Sequence, residues 1–274
     1  MRLVVILLTS CLLIGGNVKG QEVYLEKKIE QDSFVMYLSN ESYMSLYVEV
    51  MVNENIPADS RVFSDFILPA KSESEKVIVI PILNSTDTAW LQNQNFADIR
   101  LQHGNPFKVE PDNSYQYGIP FQRKKAYRLI QGFNGEYSHQ EAASRFALDF
   151  AMPVGEKICA AREGLVVKVK SDSREGGPAP KYQGKDNHIV VLHDDGTLAY
   201  YVHLEYEGAL VREGDQVSKG ELLGFSGNTG YSTRPHLHFV VRQPTPDGPV
   251  AIPFRFEEYP EMNLKVGRKL RRRR

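Results

Sequence analysis

The sequence predicts an all-β chain, and three observations predict it. Short apolar, β-branched runs recur along its length, and polar clusters rich in Asn, Asp, Ser and Gly separate them. In the second half, glycines three or four residues from each apolar anchor punctuate residues 211–224, a pattern of tight turns between very short strands. Almost no helix is expected. In the first half the strand-like runs are residues 33–38, 45–52 and 76–82, with turn clusters at 53–55 and 71–75. Strands at this spacing suggest a small sandwich. It holds no catalytic constellation: His103 stands alone in a polar Gln-His-Gly-Asn turn and reads as a surface histidine. Pro111-Asp112-Asn113-Ser114 marks the expected boundary. Beyond it, residues 165–169, 189–192 and 199–203 are strands, and residues 172–186 are a long surface loop of the kind that often carries function.

The ends of the chain read differently. Met1-Arg2 supplies a positive start, residues 3–14 an apolar core, and Val18-Lys19-Gly20 modest residues before a cleavage point at Gln21. Residues 1–20 are therefore expected to be an export signal rather than a membrane span. Leu8-Thr9-Ser10-Cys11 also fits a lipoprotein cleavage site, and lipid anchoring through Cys11 is the lesser alternative. Only Cys11 and Cys159 exist, so the mature chain forms no internal disulfide, and Cys159 reads as a small buried hydrophobe. The formal charge of −1 becomes −3 when Arg2 and Lys19 leave with the signal. The last ten residues carry seven positive charges and no acid, which puts residues 21–264 at −10. Such a block is expected to be a disordered, solvated tail over residues 259–274, able to touch an anionic surface. An exported protein meets no nucleic acid, and none is expected as a partner.

The chemistry concentrates after residue 115. Pro235-His236-Leu237-His238-Phe239 places two imidazoles on one side of a strand, with Leu237 facing the other way into a core. Neutral imidazole is the commonest metal ligand. Asp149 sits in Ala147-Leu148-Asp149-Phe150, where an unpaired carboxylate is costly to bury. With His139 and His238 it offers two nitrogens and one oxygen, leaving a fourth tetrahedral position open, the pattern of a catalytic zinc site. His203 and His236 are then free to handle protons and stabilise an oxyanion. His188 and His193 flank a strand and read as structural.

These motifs together resemble the lysostaphin/LytM-type zinc endopeptidases of bacterial cell walls. The matching pieces are Ser138-His139, the segment from Ala147 through Pro153-Val154-Gly155, His193-Asp194-Asp195-Gly196-Thr197, Tyr201-Val202-His203-Leu204, Gly214-Asp215-Gln216-Val217, and Gly227-Asn228-Thr229-Gly230 running into the two-histidine strand. The resemblance covers roughly residues 115–245. It implies one zinc ion on His139, Asp149 and His238, with His203 and His236 beside the reacting carbonyl. It also implies an antiparallel β-sheet peptidase domain with a groove over residues 115–258, preceded by a β-domain over 21–114. The implied activity is hydrolysis of peptide bonds in peptidoglycan stem peptides or cross-links, in the periplasm or cell envelope. Two features depart from the pattern: the long interval between His139 and Asp149, and Arg234 before Pro235, which is expected to point to solvent.

Two other readings compete. One is a latent or non-catalytic peptidoglycan-binding protein that regulates another wall hydrolase together with a protein partner. The other follows from residues 211–224, whose pattern is similar to barrel-sandwich carrier domains. No Met-Lys pair stands in that hairpin, which removes the carrier chemistry.

Overall fold

The computed structural model describes residues 2–4, 22–82, 88–261 and 264–273. Most of the expected export signal, with Cys11, lies outside the described residues. The chain divides into two compact units, Met1–Asn105 and Pro106–Arg274. It is β throughout: among the described residues the helices are the short Thr88–Asn93 and a single 3-10 turn, Pro180–Tyr182.

The first unit contains two antiparallel sheets. One runs Arg2–Val4, Val23–Glu30, Ser33–Asn40, Ser72–Pro81, Arg61–Val62, and the other Phe66–Leu68, Leu46–Val52, Ala97–His103. Val23, Leu25, Phe34, Met36 and Leu38 from the first share a core with Leu46, Val48, Val50 and Ile99 from the second. Two sheets covering one apolar layer make the expected sandwich. The unit ends earlier than Pro111 suggested. The amide of Glu110 donates to Asp195 O at 2.9 Å, and that of Asp112 to Asp195 Oδ2 at 3.1 Å, which ties the connecting segment to the second unit.

The second unit is built on an antiparallel sheet ordered Gln216–Val217, Gly164–Lys170, His188–Leu192, Leu198–Val202, Leu237–Gln243, Leu148–Ala151, Ala126–Gln131, Lys269–Arg271. A smaller sheet of Lys157–Cys159, Leu222–Ser226 and Leu204–Ala209 contributes Ile158, Leu223 and Leu204 to the same core. Leu148, Phe150, Leu237, Phe239 and Val241 fill that core from the large sheet. Cys159 is buried, as its apolar neighbours suggested. Tyr201, fully buried, satisfies its hydroxyl by accepting from the Ala161 amide at 2.7 Å.

The C-terminal segment corrects the expectation of a disordered tail. Lys269–Arg271 pairs with Ala126–Gln131 as the edge strand of the large sheet. Leu264 and Leu270 are buried in the core, and Arg272 Nη1 donates to Phe121 O at 3.0 Å. Charge density misled here because a strand needs only alternate apolar positions. Leu270 faces inward while Lys269 and Arg271 stay exposed, and charged side chains on an edge also discourage further strand pairing. Leu270→Ala is expected to lower unfolding stability by about 2–4 kcal/mol through the cavity it leaves. Urea denaturation of the variant checks this, and a midpoint identical to wild type would return the segment to a loose tail.

Candidate metal centre

The strand Leu237–Gln243 lies between Leu198–Val202 and Leu148–Ala151, and its register builds the site. His238 stands opposite Asp149 on one side and Val202 on the other. Directly paired residues share a face of the sheet. The alternation that sends Leu237, Phe239, Leu148 and Phe150 into the core therefore sends His238 and Asp149 to the other face. One strand further, Gln131 pairs with Asp149. Its Nε2 donates to Asp149 Oδ2 at 3.1 Å and to Ser138 Oγ at 2.7 Å. Sequence reasoning missed this positioning contact, since only the sheet register brings Gln131 beside Asp149.

The long interval between His139 and Asp149 is taken up by a compact series of turns. The amides of Ser144 and Arg145 donate to Glu141 O at 3.0 and 2.9 Å, and that of Asn134 to Arg145 O at 2.6 Å. The chain folds back so that His139 is fully buried beside the sheet. Its Nδ1 lies 2.8 Å from Gly132 O, so Nδ1 carries the proton and Nε2 presents a lone pair. That Nε2 lies 3.3 Å from Asp149 Oδ1 and is a buried atom without a hydrogen-bond partner. His238 Nδ1 is 2.8 Å from the same oxygen. One ligand atom from each of His139, Asp149 and His238 falls within 4.8 Å of the others. A buried acceptor nitrogen aimed at a buried carboxylate is what a cation between them would satisfy, so the three residues fit a metal ion.

Electrostatics agree with that fit at Asp149 and His238. Burial pushes the Asp149 carboxyl up, and the facing imidazoles of His139 and His238 outweigh it, holding the group well below the usual carboxylate range. Burial likewise pushes His238, His203 and His236 down, toward the neutral imidazole. His139 also feels burial, but Asp149 beside it prevails and raises its pKa.

The other two candidate residues lie next to this triad. The ring centres of His203 and His236 are 4.5 Å apart, and that of His203 is 6.0 Å from that of His238. His203 Nδ1 contacts Thr229 O at 2.7 Å, and His236 Nδ1 contacts Arg234 O at 2.8 Å. Each Nδ1 thus donates to a backbone carbonyl, leaving Nε2 as an acceptor. For His236 that nitrogen is 3.9 Å from Asp149 Oδ1. His203 holds φ at 67°, a conformation uncommon for a non-glycine residue, where the chain leaves the strand Leu198–Val202. Strain of this kind gathers at functional positions.

Loop 172–186, read as a surface loop, is tied to the site. Gly176–Gly177 pairs in parallel with Gly230–Tyr231. A Cβ on Gly176 would stand 2.0 Å from Asn228 O, so the close approach requires glycine. Asn187 at its end donates through its amide to Thr229 Oγ1 at 2.9 Å, fixing the residue whose carbonyl orients His203. At the rim Tyr137 and Tyr231 stack with rings 4° from parallel, their centres 6.5 Å apart. Neither aromatic is singled out by the sequence, although Tyr231 follows Gly230 in one matching motif and Tyr137 directly precedes Ser138-His139.

The remaining histidines stay outside the cluster. His188 Nδ1 pairs with Asp186 at 2.8 Å. His193 is buried, its Nδ1 at 2.9 Å from Glu163 O, and burial pushes its pKa down to about 4. His103 ends a strand of the first unit. Arg234 is exposed, as expected.

Residues 144–250 match the family model described as Peptidase family M23. Residues 144–250 are thus similar to family M23 peptidases. The M23 match begins after His139, whose place beside the domain is made by the turns described above. Among curated relatives, an uncharacterized metalloprotease of Buchnera aphidicola is 32% identical over 138 residues, 49% of this chain and 34% of that protein. Peptidoglycan DD-endopeptidase ShyA of Vibrio cholerae is 32% identical over 118 residues, 42% of this chain and 25% of that protein. Lysostaphin of Staphylococcus simulans is 36% identical over 95 residues, 34% of this chain and 17% of that protein. The chain thus spans about a third or less of the length of these relatives. The solved catalytic domain of S. simulans lysostaphin shares 31% identity, with 47% of this chain and 80% of that one covered, at a TM-score of 0.30.

Proposed function

We propose that this protein is an exported zinc metalloendopeptidase that hydrolyses peptide bonds in the stem peptides or cross-links of peptidoglycan. The observation that carries the reading is the convergence of His139, Asp149 and His238 on one point, with His203 and His236 alongside, in a chain whose residues 144–250 match the M23 family model. ShyA, a peptidoglycan DD-endopeptidase by its description, supports the substrate class. Residues 1–20 support export.

In this reading His139, Asp149 and His238 hold the ion. Zinc, when bound, supplies Lewis acidity toward a water molecule and a peptide carbonyl. The chain's own residues do the rest. Asp149, kept ionised by its neighbours, brings a negative charge to the ligand set, and Gln131 fixes the carboxylate through its second oxygen. His203 and His236 meet the substrate through Nε2, because Thr229 O and Arg234 O hold the other nitrogen of each ring. A neutral Nε2 accepts a proton as the attacking oxygen forms its bond and returns it to the leaving amine. Once protonated, the same nitrogen donates to the oxyanion that develops on the carbonyl. Two adjacent imidazoles allow one to act as base while the other, when protonated at Nε2, donates to the oxyanion.

The test is digestion of purified sacculi by the zinc-loaded protein, with and without a chelator, reading released muropeptides by mass. Release that stops with chelator and returns with added zinc is expected, and the fragment masses name the bond. A folded, zinc-loaded protein that releases nothing would favour a regulatory wall-binding role.

A further inference from the structure

Away from the histidine cluster, the second unit holds a cavity of about 270 Å³ bordered by Arg123, Lys157, Cys159, Gly220 and Arg272. Three of these side chains are cations, and among the described residues no carboxylate lines the cavity. The acids adjacent in sequence are engaged elsewhere. Glu156 accepts from the Tyr127 hydroxyl at 2.5 Å and pairs with Lys125 at 3.1 Å, while Glu221 accepts from the Ser218 amide at 2.9 Å. Burial pushes the Cys159 thiol up, so it stays neutral and adds no compensating charge.

Arg272 is fixed in place by the fold. Its side chain is buried, and Nη1 donates to Phe121 O at 3.0 Å. Nη2 lies 2.3 Å from where a Cβ on Gly220 would stand, so glycine at that position makes room for the guanidinium. The backbone on either side is pinned as well, the Lys124 amide donating to Arg272 O at 2.9 Å and the Arg272 amide to Lys125 O at 3.3 Å. These bonds bring Arg123, at the start of the same turn, to the cavity mouth. Lys157 enters from the strand paired with Leu222–Ser226. Gathering like charges around one space costs free energy that a bound anion offsets. The edge strand continues the same sign: Lys269 stands directly opposite Arg128, and both are exposed.

We propose that this cavity binds a phosphoryl group, presented by an anionic lipid headgroup or as free phosphate. A phosphoryl group carries close to two negative charges near neutral pH and three strong acceptor oxygens, which suits three converging cations better than a single carboxylate. The planar fork of arginine matches its geometry.

The full-length protein is titrated with inorganic phosphate by calorimetry, and separately sedimented with vesicles of phosphatidylglycerol or of phosphatidylcholine. The comparison is an Arg123→Glu, Lys157→Glu double variant, both positions being exposed and outside the histidine cluster. Circular dichroism checks that it folds, and its muropeptide release is expected to match wild type. Saturable phosphate binding by wild type is expected, weakened by roughly tenfold or more in the double variant. Sedimentation with phosphatidylglycerol alone, lost in the variant, assigns the group to a lipid headgroup. Phosphate binding without sedimentation assigns it to free phosphate. A wild type that binds neither, or binding that survives both substitutions, overturns the proposal. Gly220→Ala supplies an independent check through Arg272: it is expected to weaken binding with the two exposed cations intact, and unchanged affinity in a folded variant counts against the site.

Discussion

His238→Ala is expected to remove bound metal and turnover together. His238 is central to the site in both register and contact: it stands opposite Asp149 in the sheet, and its Nδ1 lies 2.8 Å from Oδ1. Without it two ligand atoms remain, and a three-residue catalytic zinc site does not survive the loss of a third of its donors. Zinc content by mass spectrometry is expected to fall from one per chain to near zero, and muropeptide release by roughly 10³-fold or more. The same change leaves Asp149 buried with less compensation, and breaking a buried pair of this kind costs on the order of 3–5 kcal/mol. His238→Gln, which keeps a polar group of similar reach, guards against mistaking misfolding for lost chemistry. Either variant retaining full hydrolysis while folded would remove His238 from the ligand set.

The second large effect separates ligands from proton handlers. His203→Asn is expected to keep zinc at wild-type stoichiometry and to lower kcat by about 10²–10⁴-fold, the usual range for a positioned acid–base group. Asparagine is the substitution of choice because His203 holds φ at 67°, which asparagine tolerates better than alanine. His203 lies beside the triad without belonging to it, its Nδ1 committed to Thr229 O. Loss of metal in this variant would make it a ligand, and an unchanged kcat would make it structural.

Both predictions start from residues legible in the sequence. His236 and His238 were visible because a strand puts alternate residues on one face, and the apolar run after them declared the strand. Asp149 was visible because a carboxylate between Leu148 and Phe150 needs a partner. Less was legible where contacts depend on register or on turns. Gln131 has no local signal, and it reaches Asp149 only because its strand lies next to Leu148–Ala151. The long interval before Asp149 carries no local signal for where His139 lies, and hydrogen bonds among residues 134–147 bring it back to the sheet. The basic C-terminus was misjudged because its charges are numerous and its one decisive residue in the strand, Leu270, is single.

The sequence by itself determined the β class, the apolar layers of both units and the kinds of ligand atom available. Those properties rest on side-chain periodicity and on the cost of burying polar groups, and both are local. Tertiary structure alone decided that five residues spread from position 139 to 238 meet at one place. It also decided which nitrogen of each histidine faces that place, and that the last strand closes the sheet. Meeting is fixed by strand order and register, which emerge only when distant segments compete to cover the same core.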